Sequence, residues 1–187
     1  MKEEQTMKRL ISLLAAAVLL LTAACAAADG VKFSTTYFTM ELPEGWEIDT
    51  EDLEKEEGEE SLGFFGESSD IGLGGAAYLV YYEELKDFAL WNASEDEVKA
   101  YADTLLEEFE DKKPELIGII NAGQIPLVLV RCTDEDGDFL YADTITNGYA
   151  IEFEFFVTDA EGETLYPITD AHIEQVKTIL ATFQPAA

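Results

Sequence analysis

The chain has 187 residues, 40 of them acidic and 11 basic, which gives a formal charge of −29 and a pI near 4.1. Hydrophobic residues make up 48% of it, enough to bury a core and to exclude intrinsic disorder, which needs high charge together with a shortage of such residues. Nucleic acid is excluded as a partner, because displacing condensed counterions takes a basic face that this composition lacks.

The first element is an export signal. Lys8 and Arg9 precede an apolar run over residues 10–21 broken only by Ser12, and residues 22–29 read Thr-Ala-Ala-Cys-Ala-Ala-Ala-Asp. A positive n-region, a short apolar h-region and small residues at the cleavage site are the parts of a secretory signal. The run is shorter than the roughly 20 residues that a permanent bilayer span needs. Translation can start at Met1 or at Met7, which directly precedes Lys8.

This segment resembles a bacterial lipoprotein signal, in which a small residue precedes a cysteine that receives diacylglycerol and becomes the mature N-terminus. The resemblance implies that Cys25 is the lipidation site. Three positions before the cysteine, where that family prefers Leu, this chain has Thr22, with Leu21 one step earlier. Simple secretion, with cleavage after Ala24, Ala27 or Ala28, is the alternative. The expected organisation is a signal peptide over 1–24, an N-terminal tether over 25–32 and a single domain over 33–184, placed extracytoplasmically and either lipid-anchored or secreted. Removing 1–24 takes away three basic and two acidic residues and leaves a charge of −30. An anionic lipid surface repels such a domain, so membrane attachment comes from the covalent anchor alone. Cys132 is then the one remaining thiol, and its place in the apolar run 127–132 predicts a buried small hydrophobe.

Within the domain, Phe38, Met40 and Leu42 alternate with Thr39 and Glu41, the pattern of a half-buried strand, and Pro43–Gly45 punctuates it before Trp46. Residues 31–48 are therefore expected to open the domain as a hairpin. Residues 49–60 are dominated by acidic side chains without apolar periodicity and predict a solvated loop. Residues 62–65 and 73–85 read as strands. Ser94 and Glu97 form a capping box, and Val98, Tyr101, Ala102, Leu105 and Phe109 share one face of a helix over 94–111 that Pro114 stops. Residues 116–120, 125–132, 139–146 and 149–158 are four β-rich runs. Asp136-Gly137 and Asn147-Gly148 separate the last three as tight turns of an antiparallel meander. Thr169 or Asp170 caps a closing helix whose apolar face is Ile173, Val176, Leu180 and Phe183.

The predicted fold class is α+β, a mainly antiparallel sheet flanked by two helices. The opening phrase from Tyr37 to Trp46, the central helix, the meander and the closing phrase from Val176 to Phe183 together resemble the PsbP-like α/β/α sandwich family. That family includes extrinsic photosystem proteins, Ran-binding import factors and bacterial lipoproteins. The resemblance implies a domain that docks onto other macromolecules without catalysis, and it assigns no functional residue to a position here.

The remaining motifs have plain structural explanations. Gly72–Ala77 matches the letters of a dinucleotide fingerprint, but Tyr78–Tyr82 read as strand where that motif needs a helix N-terminus. The default is a glycine lead-in to a strand, a place suited to a bulge. Asp134–Asp138 gathers oxygens as a calcium site would, but glycine follows the second ligand position and a strand begins at once; a charged hairpin tip accounts for it. Residues 159–163 repeat this pattern. There is no nucleophile elbow, and a dyad of Cys132 with the single histidine, His172, joins a core strand to an exposed helix start. Nothing in the sequence singles out a catalytic carboxylate pair.

The expected catalytic residues, cofactors and metals are none. The expected function is an exported, lipid-anchored, noncatalytic domain that docks an envelope or extracellular protein partner of basic character. Glu56, Glu57, Glu59 and Glu60 are the expected partner-binding residues, and Tyr78, Tyr81, Tyr82, Trp91 and Tyr141 offer aromatic surface. The alternatives are an exported carboxylate-dependent hydrolase and a calcium-dependent surface protein.

Overall fold

The computed structural model describes residues 30–50, 55–56, 59–135, 137–159 and 165–186, with backbone alone for Lys55 and Glu56. The expected signal peptide over 1–24, Cys25 and Glu57 lie outside the described residues. The compact unit spans Val31–Ala187.

Strands β1 (Val31–Ser34) and β2 (Phe38–Leu42) form the opening hairpin. Its turn is held by Thr35, whose hydroxyl accepts from the amides of Tyr37 and Phe38, both at 3.0 Å. The expectation of one hairpin over 31–48 is corrected here. The other edge of β2 is taken by β12 (Gln184–Pro185), so β3 (Trp46–Asp49) has no edge to join and leaves for a second sheet. Gly45, at φ 84°, makes that departure in a conformation that favours glycine.

The second sheet runs in the order β3, β5 (Glu59–Glu67), β6 (Ile71–Tyr81), β10 (Tyr149–Asp159), β9 (Asp138–Thr146), β8 (Ile125–Thr133), β7 (Glu115–Ala122), with every neighbouring pair antiparallel. Short strands β4 (Lys55–Glu56) and β11 (Leu165–Tyr166) pair with β5 and β10. The predicted meander is present and includes β7. Asn147 (φ 50°) and Gly148 (φ 84°) both take the positive φ that a tight two-residue hairpin turn demands.

Two further expectations change. Residues 49–60 are not simply a solvated loop: Asp49 ends β3, Lys55–Glu56 pairs with Glu59–Glu60, and Glu59 and Glu60 are half-buried in β5. An added edge strand is held by its backbone ladder, so no apolar alternation is needed to make it. The strand expected over 73–85 ends at Tyr81, and Glu83–Leu85 is a 3-10 turn.

Helix α1 (Glu95–Glu108) starts at the expected capping box: the Glu97 amide donates to Ser94 Oγ at 3.4 Å, and the Ser94 amide donates to the Glu97 carboxylate at 2.7 Å. Lys113, left-handed at φ 45°, breaks the chain before Pro114. Helix α2 (Asp170–Leu180) is capped by Thr169, and His172 Nδ1 accepts from the Thr169 amide at 3.2 Å, so the lone histidine serves as the returning member of a second capping box.

The two faces of the large sheet are covered differently. One face carries Phe65, Leu73, Leu127, Leu129, Leu140, Phe153 and Phe155 against the small sheet and α2. Phe38 is its centre, 5.5 Å from Phe33, 5.2 Å from Phe153 and 5.4 Å from Phe183, at the separations aromatic pairs prefer. On the other face α1 lays Ala102 and Leu105 over Val128, Val130, Cys132 and Tyr141, and Val98 over Ile145 and Ala150. That helix covers β8, β9 and the start of β10, and the part of the face built from β3, β5, the Gly-rich stretch of β6 and the far end of β10 lies beyond it.

Candidate functional site

The half-covered face holds the polar chemistry of the molecule. Along β9 the residues on this side are Phe139, Tyr141, Asp143 and Ile145; along β10 they are Ala150, Glu152, Glu154 and Phe156. Register sets Asp143 directly opposite Glu152, and Tyr141 opposite Glu154, while Tyr78 of β6 flanks Glu152 from the far side. Two carboxyl groups facing each other across adjacent strands is an unfavourable pairing when both are ionised. Asp143 is 1% exposed. The Tyr101 hydroxyl of α1 donates to Asp143 Oδ2, while Oδ1 has no partner among the described residues. The Tyr82 hydroxyl donates to Glu152 Oε1 at 3.2 Å.

Burial is the main cause that pushes the Asp143 carboxyl well above the usual range; the Tyr101 bond opposes it and the charges of Glu152 and Glu108 reinforce it. Burial also raises Glu152, to about 7, against hydrogen bonds from Tyr141 and Tyr82 and with the repulsion of Glu59 and Glu108. Glu154 is raised by burial, relieved in part by Lys112. The phenols of Tyr82, Tyr101 and Tyr141 are raised too, chiefly by burial and then by the neighbouring carboxylates, so they remain proton donors across the physiological range.

Beyond the edge of α1 the same face opens into a groove of about 770 Å³. Its floor is glycine. Gly66 and Gly74 are register partners, and a Cβ on Gly66 would lie 3.2 Å from the Gly74 Cα. The glycines of 72–77 thus belong to a regular strand with aromatic rings laid over it, and the bulge sits in β5 between Ser61 and Gly63. Phe64, 45% exposed, and Phe156 stand in the groove, and Glu47, Asp49, Glu67 and Asp159 are among its lining residues; among the described residues no lysine or arginine lines it.

The other sequence candidates are dispersed. Glu59 and Glu60 lie on β5, and Glu60 accepts from the Tyr37 hydroxyl at 3.4 Å. Cys132 is fully buried on the α1 side, its thiol pushed up to about 11 by burial, whereas His172 belongs to α2 on the opposite face; the sheet separates them. At the β8–β9 tip, Asp138 bonds Arg131 (2.5 Å) and Thr133 (2.7 Å), and Asp134 accepts from the Gly137 amide at 3.1 Å. These carboxylates fasten a hairpin, and among the described residues no group of three or more His, Cys, Asp or Glu is placed to hold a metal ion. Residues 136 and 160–163 lie outside the described residues. Tyr141, expected as surface, is 6% exposed beneath α1.

Asp143 and Glu152 were missed because their phase along β9 and β10 is the one that faces solvent in a sheet covered on a single side. A signal is nonetheless present: each is in step at i±2 with large or apolar side chains, Tyr141 and Ile145 for Asp143, Ala150 for Glu152.

Among the described residues no helix is long and apolar enough to cross a membrane. No family model matches the chain, and no curated protein matches it. Among solved structures the chain is similar to the solution structure of cyanobacterial PsbP from Synechocystis sp. PCC 6803, at 16% identity over 86% of this chain and 96% of that chain, with a TM-score of 0.45.

Proposed function

We propose that this chain is an exported, lipid-anchored, noncatalytic interaction domain that docks a basic protein partner on the open half of its large sheet. The observation that carries the proposal is the groove itself: a broad, shallow surface with a glycine floor, the exposed ring of Phe64 and the half-buried ring of Phe156, lined by carboxylates and, among the described residues, by no lysine or arginine. Glycine lets a partner's backbone approach closely, Phe64 and Phe156 supply apolar contact, and the carboxylates steer a positive segment toward them. Glu56, Glu57, Glu59 and Glu60, the acidic residues expected from the sequence to meet the partner, remain part of the proposal. Export and anchoring rest on the sequence of the first 25 residues, with Cys25 as the acylated residue.

Two measurements test this. Labelled palmitate enters the wild-type chain and not Cys25→Ala; incorporation into neither returns the chain to simple secretion. A partner captured from envelope extract associates more slowly, and with a weaker dependence on salt, when Glu47 and Glu67 or Glu56, Glu57, Glu59 and Glu60 are changed to glutamine. Unchanged rate and salt slope in both variants removes the acidic surface from the account.

The rival reading, a carboxylate-dependent hydrolase, has one observation in its favour, the facing pair Asp143 and Glu152 with raised pKa values. Access weighs against it. Neither residue lines the groove, the 470 Å³ depression beside Lys112 and Lys113, or the 300 Å³ cavity beside Trp91, whereas a substrate needs a pocket in which such groups converge. Turnover of a glycoside, peptide or ester that vanishes in Glu152→Gln decides for the hydrolase.

A further inference from the structure

Where β12, the 3-10 turn Leu90–Asn92 and the β9–β10 hairpin meet, the molecule holds a cavity of about 300 Å³, more enclosed than the acidic groove. Four aromatic side chains, Tyr37, Trp91, Tyr149 and Phe183, line it with Thr146, and among the described residues no charged one does. The walls are held in place independently of any ligand. Phe183 is buried against Phe38 and Phe153, at 5.4 and 6.1 Å between centroids. Tyr149 leans on Tyr81 at 5.0 Å, and the Ala186 amide donates to the Tyr37 carbonyl at 2.7 Å, closing the C-terminal wall onto the opening hairpin.

This lining selects by charge and by hydration together. Aromatic faces present negative potential and attract cations. The chain as a whole carries −29, and the Tyr37 hydroxyl donates to the Glu60 carboxylate, so an anion is disfavoured at long and short range. A primary ammonium needs several acceptors to replace its water, and the lining offers few beyond the Thr146 and tyrosine hydroxyls. A cation wrapped in methyl groups needs none, and it gains both the apolar contact and the attraction of the ring faces. We infer that this cavity binds quaternary ammonium ligands, seating a trimethylammonium group against Tyr37, Trp91 and Tyr149. The inference is independent of the proposed docking groove, which shares no lining residue with the cavity.

The test uses the full chain in a nonionic detergent and a Trp46→Phe background, so that tryptophan fluorescence reports Trp91. Choline and tetramethylammonium are titrated beside 3,3-dimethylbutan-1-ol, the uncharged carbon isostere of choline. Saturable binding of choline at least tenfold tighter than that of the isostere supports the inference. Trp91→Leu and Tyr149→Leu should each weaken choline at least fivefold, and Thr146→Lys, which adds a cation at the rim with little loss of packing, should abolish binding while circular dichroism stays unchanged. Equal affinity for choline and its isostere would show an apolar cavity without charge selection, and absence of saturable binding, or binding retained in folded Thr146→Lys, overturns the site outright. Phosphatidylcholine added in mixed micelles with the same detergent separates the two sources of the group: displacement of choline assigns the cavity to a lipid headgroup, and unchanged choline binding assigns it to a free small molecule.

Discussion

Asp143 and Glu152 face one another between β9 and β10 with tyrosine hydroxyls, and among the described residues no cation, as their hydrogen-bond partners. Glu152 titrates near 7 in the folded chain against 4.5 for an ordinary glutamate, so the folded state holds its proton more tightly than the unfolded state does. Its contribution to stability is complete below about pH 4.5 and is lost as pH rises through about 7. The full loss is on the order of 3 kcal/mol. Urea unfolding at a series of pH values should show the wild type more stable near pH 5 than near pH 8, with Glu152→Gln making that slope shallower and the raised Asp143 and Glu154 carboxyls supplying the rest. A Glu152→Gln slope equal to the wild type's would place the titration elsewhere. Tyr101→Phe, which withdraws the donor from a fully buried carboxyl, should cost about 1–3 kcal/mol.

At the scale of elements, the hairpin between β9 and β10 sets the register that brings these carboxyls together. Gly148 sits at φ 84°, and a Cβ there would lie 2.9 Å from both the Lys86 Cα and the Tyr81 ring. Gly148→Ala therefore meets backbone strain and a clash at once, and we expect a loss of more than about 1 kcal/mol in thermal or urea unfolding. Gly45→Ala makes a useful contrast, because that glycine has the same φ but open space around it. Its cost should be that of the conformation alone, and equal losses at the two sites would rule out the contact with Lys86 and Tyr81. The turn and the Ser94–Glu97 capping box were legible in the sequence because each depends on residues within three or four positions of one another, whereas the choice of Thr169 over Asp170 as cap, and the return of His172 to it, came from the structure. The partner of β3 was not, since it depends on β12 occupying the far edge of β2, more than 140 residues away in the chain.

Over the whole molecule, a charge of −29 on a chain of this size is a standing self-repulsion that acts at long range and is screened by salt. The Debye length falls from about 30 Å at 0.01 M to about 3 Å at 1 M salt. Raising sodium chloride should therefore raise the melting temperature of the chain, while it weakens capture of a basic partner. A melting temperature that falls or stays level with salt would mean that local ion pairs outweigh the global repulsion. Arg131 with Asp138 is one such pair; the exposed Lys86–Glu83 and Lys177–Glu174 pairs are worth little.

By itself the sequence determined the acidic character, the two amphipathic helices with their caps, the meander and its turn, and an antiparallel α+β class, because period, capping and turn chemistry are local properties of the chain. Only the tertiary structure decided which half of the large sheet α1 covers. That choice buries Tyr141 and Asp143, leaves Phe64 and the glycine floor open, and gathers Tyr37, Trp91, Tyr149 and Phe183 from four distant segments around one cavity. Alternation along a strand tells which residues share a face, but what covers that face depends on packing between elements remote in sequence, and the environment of each carboxyl and each aromatic ring follows from that cover.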